Sequence, residues 1–230
     1  MMTQPIILNE IPFEIDVDRL MKELRIQKSR DLETDFRALC EEAYNHAHPK
    51  AMIRGAYIDE KGEDYVIIEG VKFKSRVLRI NLEVAERVFL ACATCGMELY
   101  EWGQSQTDIF LQFWADAIQD HALQQAIEYV RSYIEKTFNP GKLGVQNPGS
   151  LKNWSIKEQQ KLFDLIGDSE SSINVKLLDS NIMVPTHSVS GIIFPTEISF
   201  VNCLLCPRQN CPKRRAPFNR DLYKNHYELN

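Results

Sequence analysis

The chain has no apolar run long enough to cross a bilayer. Its longest unbroken stretches, such as Val88-Phe89-Leu90-Ala91-Cys92-Ala93, fall far short of the roughly 20 residues a spanning helix needs. Met1 to Leu8 lacks the basic segment that opens a secretory leader, and Glu10, Glu14, Asp16 and Asp18 follow at once. Both absences predict a cytoplasmic protein with no membrane association. Excess positive charge is missing too: 27 Lys and Arg against 32 Asp and Glu leave a formal net charge of -5, so no global basic field points to nucleic acid. There is no internal repeat and no low-complexity linker. Gly-x-Ser-x-Gly, His-Glu-x-x-His and P-loop patterns are absent, which argues against a hydrolase or other nucleophilic enzyme.

What is present is the composition of a folded protein, 44% hydrophobic and 26% charged over 230 residues, enough for one large domain or two small ones. After a short strand at Pro5 to Leu8, two helical patterns follow: Leu20, Met21 and Leu24, with Asp16 or Asp18 as cap, then Leu32, Phe36, Leu39, Cys40 and Ala43. From Ala51 to Phe73 the pattern turns to strands around a polar turn at Glu60 to Asp64, which favours antiparallel pairing. Val88 to Ala93 reads as a central strand ending in Thr94-Cys95-Gly96. Asp108 to Phe138 reads as one long helix or two in line, stopped by Asn139-Pro140-Gly141. A loop to Lys152 precedes a short helix, Ser155 to Ile166, with Ser155 and Glu158 as a capping box. Strands at Asn174 to Leu178 and Ser188 to Phe194 come last. The sum predicts an α+β fold: a largely antiparallel twisted sheet with packed helices, one of them long.

Near the C-terminus, Cys203, Cys206 and Cys211 fall within nine residues, and Pro207 and Pro212 stiffen the loop. In a cytoplasmic chain such thiols are ligands or core residues more than disulfides. The spacing predicts a metal site, with a 4Fe-4S cluster as the leading reading. Cys95, beside a glycine at a strand end, is the expected remote fourth ligand ahead of Cys92, which alternation turns into the core. Zinc is the alternative, with four thiolates or three plus His226; bare redox-sensitive thiols are the third. Cys40, on an apolar helical face, reads as a buried hydrophobe. Arg208, Lys213, Arg214, Arg215 and Arg220 form a local basic collar that would offset cluster charge or steer an acidic partner, or else a solvated tail.

The stretch Leu178 to Phe194, with its Met183, Pro185 and Ser188-Val189-Ser190-Gly191, resembles the signature of the activation domain of cobalamin-dependent methionine synthase. Thr94-x-Gly96, the long helix, and Pro148-Gly149 followed by a short helix fall in the same order, so the resemblance spans roughly residues 50–200 and extends to small free-standing relatives in anaerobes. It implies an activation-domain-like core (50–200); with the helical patterns before it and the cysteine spacing after it, the chain is expected to have an N-terminal helical segment (1–49) packed on that core and a cysteine-rich metal-binding segment (201–230) appended to it. The resemblance also implies a chain that docks on a corrinoid protein or corrinoid-dependent methyltransferase and helps restore its cobalt. His187, Ser188, Val189, Ser190 and Gly191 would line the cleft near the corrinoid, and a ferredoxin or flavodoxin would be the electron donor to a cluster-bearing redox protein.

Asp-x-His-x-x-Gly is absent, so the corrinoid would be held by the partner. The family also binds S-adenosylmethionine, but its arginine three residues before Pro-Gly is Val145 here and its tyrosine after Pro-Gly is Ser150. The carboxylate of that ligand thus loses its expected charge-assisted partner. The other reading is a non-catalytic corrinoid-protein binding or assembly module with structural zinc.

Overall fold

The structure is a computed structural model that describes residues 4–26, 30–151, 153–197, 202–211 and 214–224. Strand β1 (Ile6–Leu8) leads to helices α1 (Val17–Glu23) and α2 (Arg30–His46). Then come β2 (Lys50–Lys61), β3 (Tyr65–Ile68), β4 (Val71–Lys74), α3 (Arg76–Asn81), β5 (Arg87–Thr94), α4 (Met97–Ser105) and α5 (Ile109–Phe138). The last third holds β6 (Leu143–Gln146), α6 (Gln159–Ile166), α7 (Ser169–Ile173), β7 (Lys176–Leu177), β8 (Met183–Val184), β9 (Ser188–Pro195) and α8 (Arg220–Leu222).

Among the described residues seven strands form one sheet in the order β4-β3-β2-β5-β9-β6, with β1 also on β2, and every pairing is antiparallel. The unbroken apolar run of β5 puts it at the centre because both of its faces are covered. Phe89, Ala91 and Ala93 face a core built with α2, α4 and α5, which also takes in Ile11, Phe13 and Leu20 from the N-terminal segment. Val88, Leu90 and Cys92 face a second core containing Val77, Trp154, Leu162 and Ile166. The fold is the expected α+β one.

Helix α5 is one continuous helix of 30 residues, about 45 Å long. The Asp108 carboxylate accepts from the backbone N–H groups of Phe110 at 2.8 Å and Leu111 at 3.2 Å, and Asn139 ends it in the left-handed region at φ 44°. Among the described residues no helix is both long and apolar enough to cross a membrane.

The structure departs from the sequence reading in several places. The segment expected to be a plain loop to Lys152 contains β6, whose four residues pair with Ile192–Pro195. Gly144 breaks the β signal there, yet it is needed: a Cβ would lie 2.6 Å from the Phe194 ring. The strand expected over Asn174 to Leu178 shrinks to two residues, because Asn174 closes α7 with φ 56°. The capping box is replaced by a split arrangement. Ser155 Oγ accepts from the Lys157 N–H at 3.3 Å, while the Glu158 carboxylate accepts from the Lys74 backbone N–H at 3.1 Å and ties α6 to β4. Helices α3 and α7, of six and five residues, are too short for periodicity to announce, and α4 is likewise not expected from the sequence.

β6 covers only the second half of β9, so Ser188 to Gly191 lie on an edge that β6 leaves open. The 147–154 loop and the C-terminal tail meet there.

Candidate functional site

The first half of β9 is stitched to the end of β5. The Ser188 hydroxyl donates to Thr94 Oγ1 at 2.9 Å, the Gly96 N–H donates to the same oxygen at 3.2 Å, and the Cys95 N–H donates to the His187 carbonyl at 3.0 Å. On the other side His187 Nε2 lies 3.1 Å from Asp116 Oδ1 on α5. His187 and Ser188 therefore brace the strand ends against one another and against the long helix. Ser190 pairs in register with Cys92 and so shares its second-core face. Val189 instead packs with the first core. Of the five residues expected to line a cleft, Val189 and Gly191 are those turned toward α5, and the two serine hydroxyls lie elsewhere for the reasons just given.

Here a half-open cleft of about 90 Å³ lies between the sheet and α5. Its floor is Ala91, Ala93 and Gly191, its helix wall is Ile127 and Val130, and Val145, Asn147 and Arg215 also line it. Asn147 Nδ2 donates to the Ser190 carbonyl at 2.8 Å, satisfying the strand edge. A Cβ on residue 191 would meet that Nδ2 at 2.5 Å, which is why glycine stands there. The Ser150 hydroxyl donates to the Asn147 carbonyl at 2.7 Å, and the Gly149 N–H donates to the Trp154 carbonyl at 2.8 Å. Trp154 is itself fully buried, so the loop that positions Asn147 hangs from the second core.

The tail crosses the same edge. A 3₁₀ turn at Asn202–Leu205 puts Leu205, 2% exposed, into the second core, and Asn202 Nδ2 donates to Ser150 Oγ at 3.0 Å. The Arg214 guanidinium donates to the carbonyls of Cys203 at 3.3 Å, Cys206 at 3.2 Å and Ala216 at 3.1 Å, and to that of Arg208. It closes the loop upon itself. Arg215 then reaches the cleft, while Arg208 lines a separate, mostly apolar cavity of about 550 Å³ with Leu151, Leu205, Cys206, Phe218 and Tyr223. The basic collar read from the sequence thus divides into a loop closure at Arg214, a cleft residue at Arg215, a cavity residue at Arg208 and the first residue of α8 at Arg220; Lys213 lies outside the described residues.

The thiols separate in the same way. Cys95 is fully buried in the first core, whereas Cys206 packs against the second, on the other face of the sheet. The Cys95 Sγ donates to the Gly96 carbonyl at 3.4 Å, and burial pushes the Cys95 pKa up to about 12. Cys95 is thus held as a neutral core thiol, and the expected convergence with Cys203, Cys206 and Cys211 does not occur. Strand alternation places both: Cys92 faces the second core, and Cys95, two residues beyond Ala93, faces the first core rather than pointing off the sheet edge. Among the described residues no group of three or more His, Cys, Asp or Glu side chains is placed to hold a metal ion; His226 lies outside them. Cys40 and Cys92 are buried, and burial pushes both thiols up to about 12.

Cys203 is the exception. Its Sγ accepts the Arg215 N–H at 3.4 Å, and that bond, the Ala216 N–H and the charges of Arg215 and Arg214 lower its pKa against a smaller opposing effect of burial. A lowered pKa means more thiolate at a given pH, and the thiolate is the reactive form. Titration with an aromatic disulfide reagent near pH 7.5 is therefore expected to modify Cys203 first, with Cys40, Cys92 and Cys95 reacting only on unfolding. Mass mapping that found Cys95 modified as fast as Cys203 would contradict this placement.

No protein-family model matches this chain, and no curated protein matches it either. Its fold does match a solved one: the MetH reactivation domain bound to AdoHcy, with a TM-score of 0.58 over 87% of this chain and 84% of that one, at 15% sequence identity. At that identity the likeness is one of fold. The α+β class, the mostly antiparallel sheet and the long helix belong to it.

Proposed function

We propose that this chain is a reactivation-type module that takes an S-adenosyl compound in the cleft between β9, α5 and the 147–150 loop. The carrying observation is the fold match to a domain whose crystal structure holds AdoHcy, in a chain with a cleft floored by Ala91, Ala93 and Gly191 beside its Ser188-Val189-Ser190-Gly191 strand. Side chains this small let a ligand approach the backbone closely. The enclosed volume suits one end of such a ligand, the remainder lying along the open edge.

In this reading the chain binds S-adenosylmethionine and orients its sulfonium methyl toward a corrinoid carried by a partner protein. The methyl–sulfur bond breaks, the methyl passes without its electron pair to reduced cobalt, and AdoHcy is left in the cleft. The apolar floor and wall exclude water from the methyl group. The Asn147 side chain is spent on the strand edge and keeps the loop in place. The electron that reduces cobalt comes from a donor such as a ferredoxin or flavodoxin acting on the partner. Among the described residues the thiols do not form a ligand set for a cluster or zinc, and this reading assigns no step to either.

Binding to the folded state alone stabilises it, by about 2.7 kcal/mol at a ligand concentration a hundred times Kd. AdoHcy is therefore expected to raise Tm progressively with concentration, and adenine alone to do much less. A Tm that stays fixed up to the solubility limit of AdoHcy would overturn the reading.

A further inference from the structure

Resting on that reading, we propose that Arg215, carried to the cleft by the C-terminal tail, anchors the carboxylate of the ligand's amino-acid end, so that the tail completes the binding site. Among the described residues Arg215 is the one charged residue lining the cleft, whose other walls are apolar apart from Asn147 and Ser190. The polar side chains do not serve: the Asn147 amide donates to the Ser190 carbonyl, and Ser190 shares the face of Cys92. The loop side of the cleft presents Val145, which offers a carboxylate nothing. A carboxylate set against such walls loses its hydration and needs a donor to replace it. A guanidinium does so with two parallel N–H bonds.

Arg215 is positioned for this, and among the described residues its guanidinium makes no hydrogen bond or ion pair. Its backbone N–H is held by Cys203 Sγ at 3.4 Å. Its neighbour Arg214 closes the loop by donating to the carbonyls of Cys203, Cys206 and Ala216. Leu205 fixes the start of the loop in the second core. The two adjacent arginines have opposite fates: Arg214 is turned inward onto carbonyls, and Arg215 is exposed at the cleft. The cysteine-rich tail is thereby a strap that delivers a cation over the open edge of β9, and Cys203 is a positioning residue for it.

Calorimetric titration of the full chain with AdoHcy and with 5′-methylthioadenosine, the same thioether nucleoside without the amino-acid end, tests the assignment. The wild type is expected to prefer AdoHcy. Arg215→Ala is expected to weaken AdoHcy roughly ten- to a hundredfold and leave methylthioadenosine unchanged, with Arg215→Lys between the two. Arg208→Ala, in the neighbouring cavity, is expected to change neither. Wild-type affinity for AdoHcy in Arg215→Ala overturns the anchor and leaves the functional reading standing. Loss of AdoHcy affinity in Arg208→Ala instead would move the carboxylate to the 550 Å³ cavity and overturn it too. If the wild type binds neither ligand, it is the functional reading that fails.

Discussion

Trp154→Ala is expected to destabilise the fold by about 3–5 kcal/mol and to weaken AdoHcy binding in whatever protein remains folded. The indole is fully buried in the second core and stands edge-on to Phe73, ring centroids 6.3 Å apart. Its removal leaves a cavity that the surrounding strands and helices cannot close. The same residue receives the Gly149 N–H on its carbonyl at 2.8 Å, so the loop holding Asn147 against the β9 edge loosens with it. Urea unfolding followed by far-UV circular dichroism reads the first effect and titration calorimetry the second. A loss under about 1 kcal/mol would mean that the indole is not the centre of that core.

Gly96→Ala is expected to cost about 2–5 kcal/mol from two sources that act together. Gly96 has φ 98° and ψ 144°, a conformation that side chains rarely adopt. Its added Cβ would also lie 2.4 Å from the His48 carbonyl oxygen, which is backbone and cannot swing away. The bend that the glycine permits follows directly on the contacts of Thr94 with Ser188 and of Cys95 with His187, so the variant should also expose Cys95 to thiol reagents under conditions where the wild type protects it. Unfolding midpoints within a few tenths of a molar in urea of the wild type would show that the bend tolerates a side chain.

These two residues mark what could be read from the sequence and what could not. The central strand was visible because β5 is buried on both faces and therefore apolar without interruption. Helix α5 was visible because its apolar stripe runs for 30 residues between Asp108 and Asn139, far more than noise in periodicity can imitate. Strand β6 was not, since four residues including Gly144 carry too little signal, and what makes them a strand is the edge of β9. The bend at Thr94-Cys95-Gly96 was legible as a bend, but it begins beyond Cys95: the Cys95 N–H still donates to the His187 carbonyl, so the ladder and its alternation carry Cys95 onto the face of Ala91 and Ala93. The four-thiol assembly joined an outward-pointing Cys95 to three tail cysteines; Cys95 lies in the first core, and among the described residues the tail cysteines are not placed as a metal-holding group either.

The cleft was half legible. Ser188-Val189-Ser190-Gly191 drew attention to the right strand, yet strand alternation and the Thr94 hydroxyl take the hydroxyls out of the cleft and leave Val189 and Gly191 in it. Arg215 stood out only as part of a basic run. That it and Arg214 point to different tasks is decided by a ring of backbone carbonyls, and no pattern in the residue types announces such a ring.

A crystal structure of the chain grown with AdoHcy tests the central claim most directly. The account predicts electron density for the ligand along Ala91, Ala93 and Gly191, with its carboxylate paired to the Arg215 guanidinium. Ligand density in the cavity beside Phe218 and Tyr223, or an empty cleft at saturating AdoHcy, would contradict it.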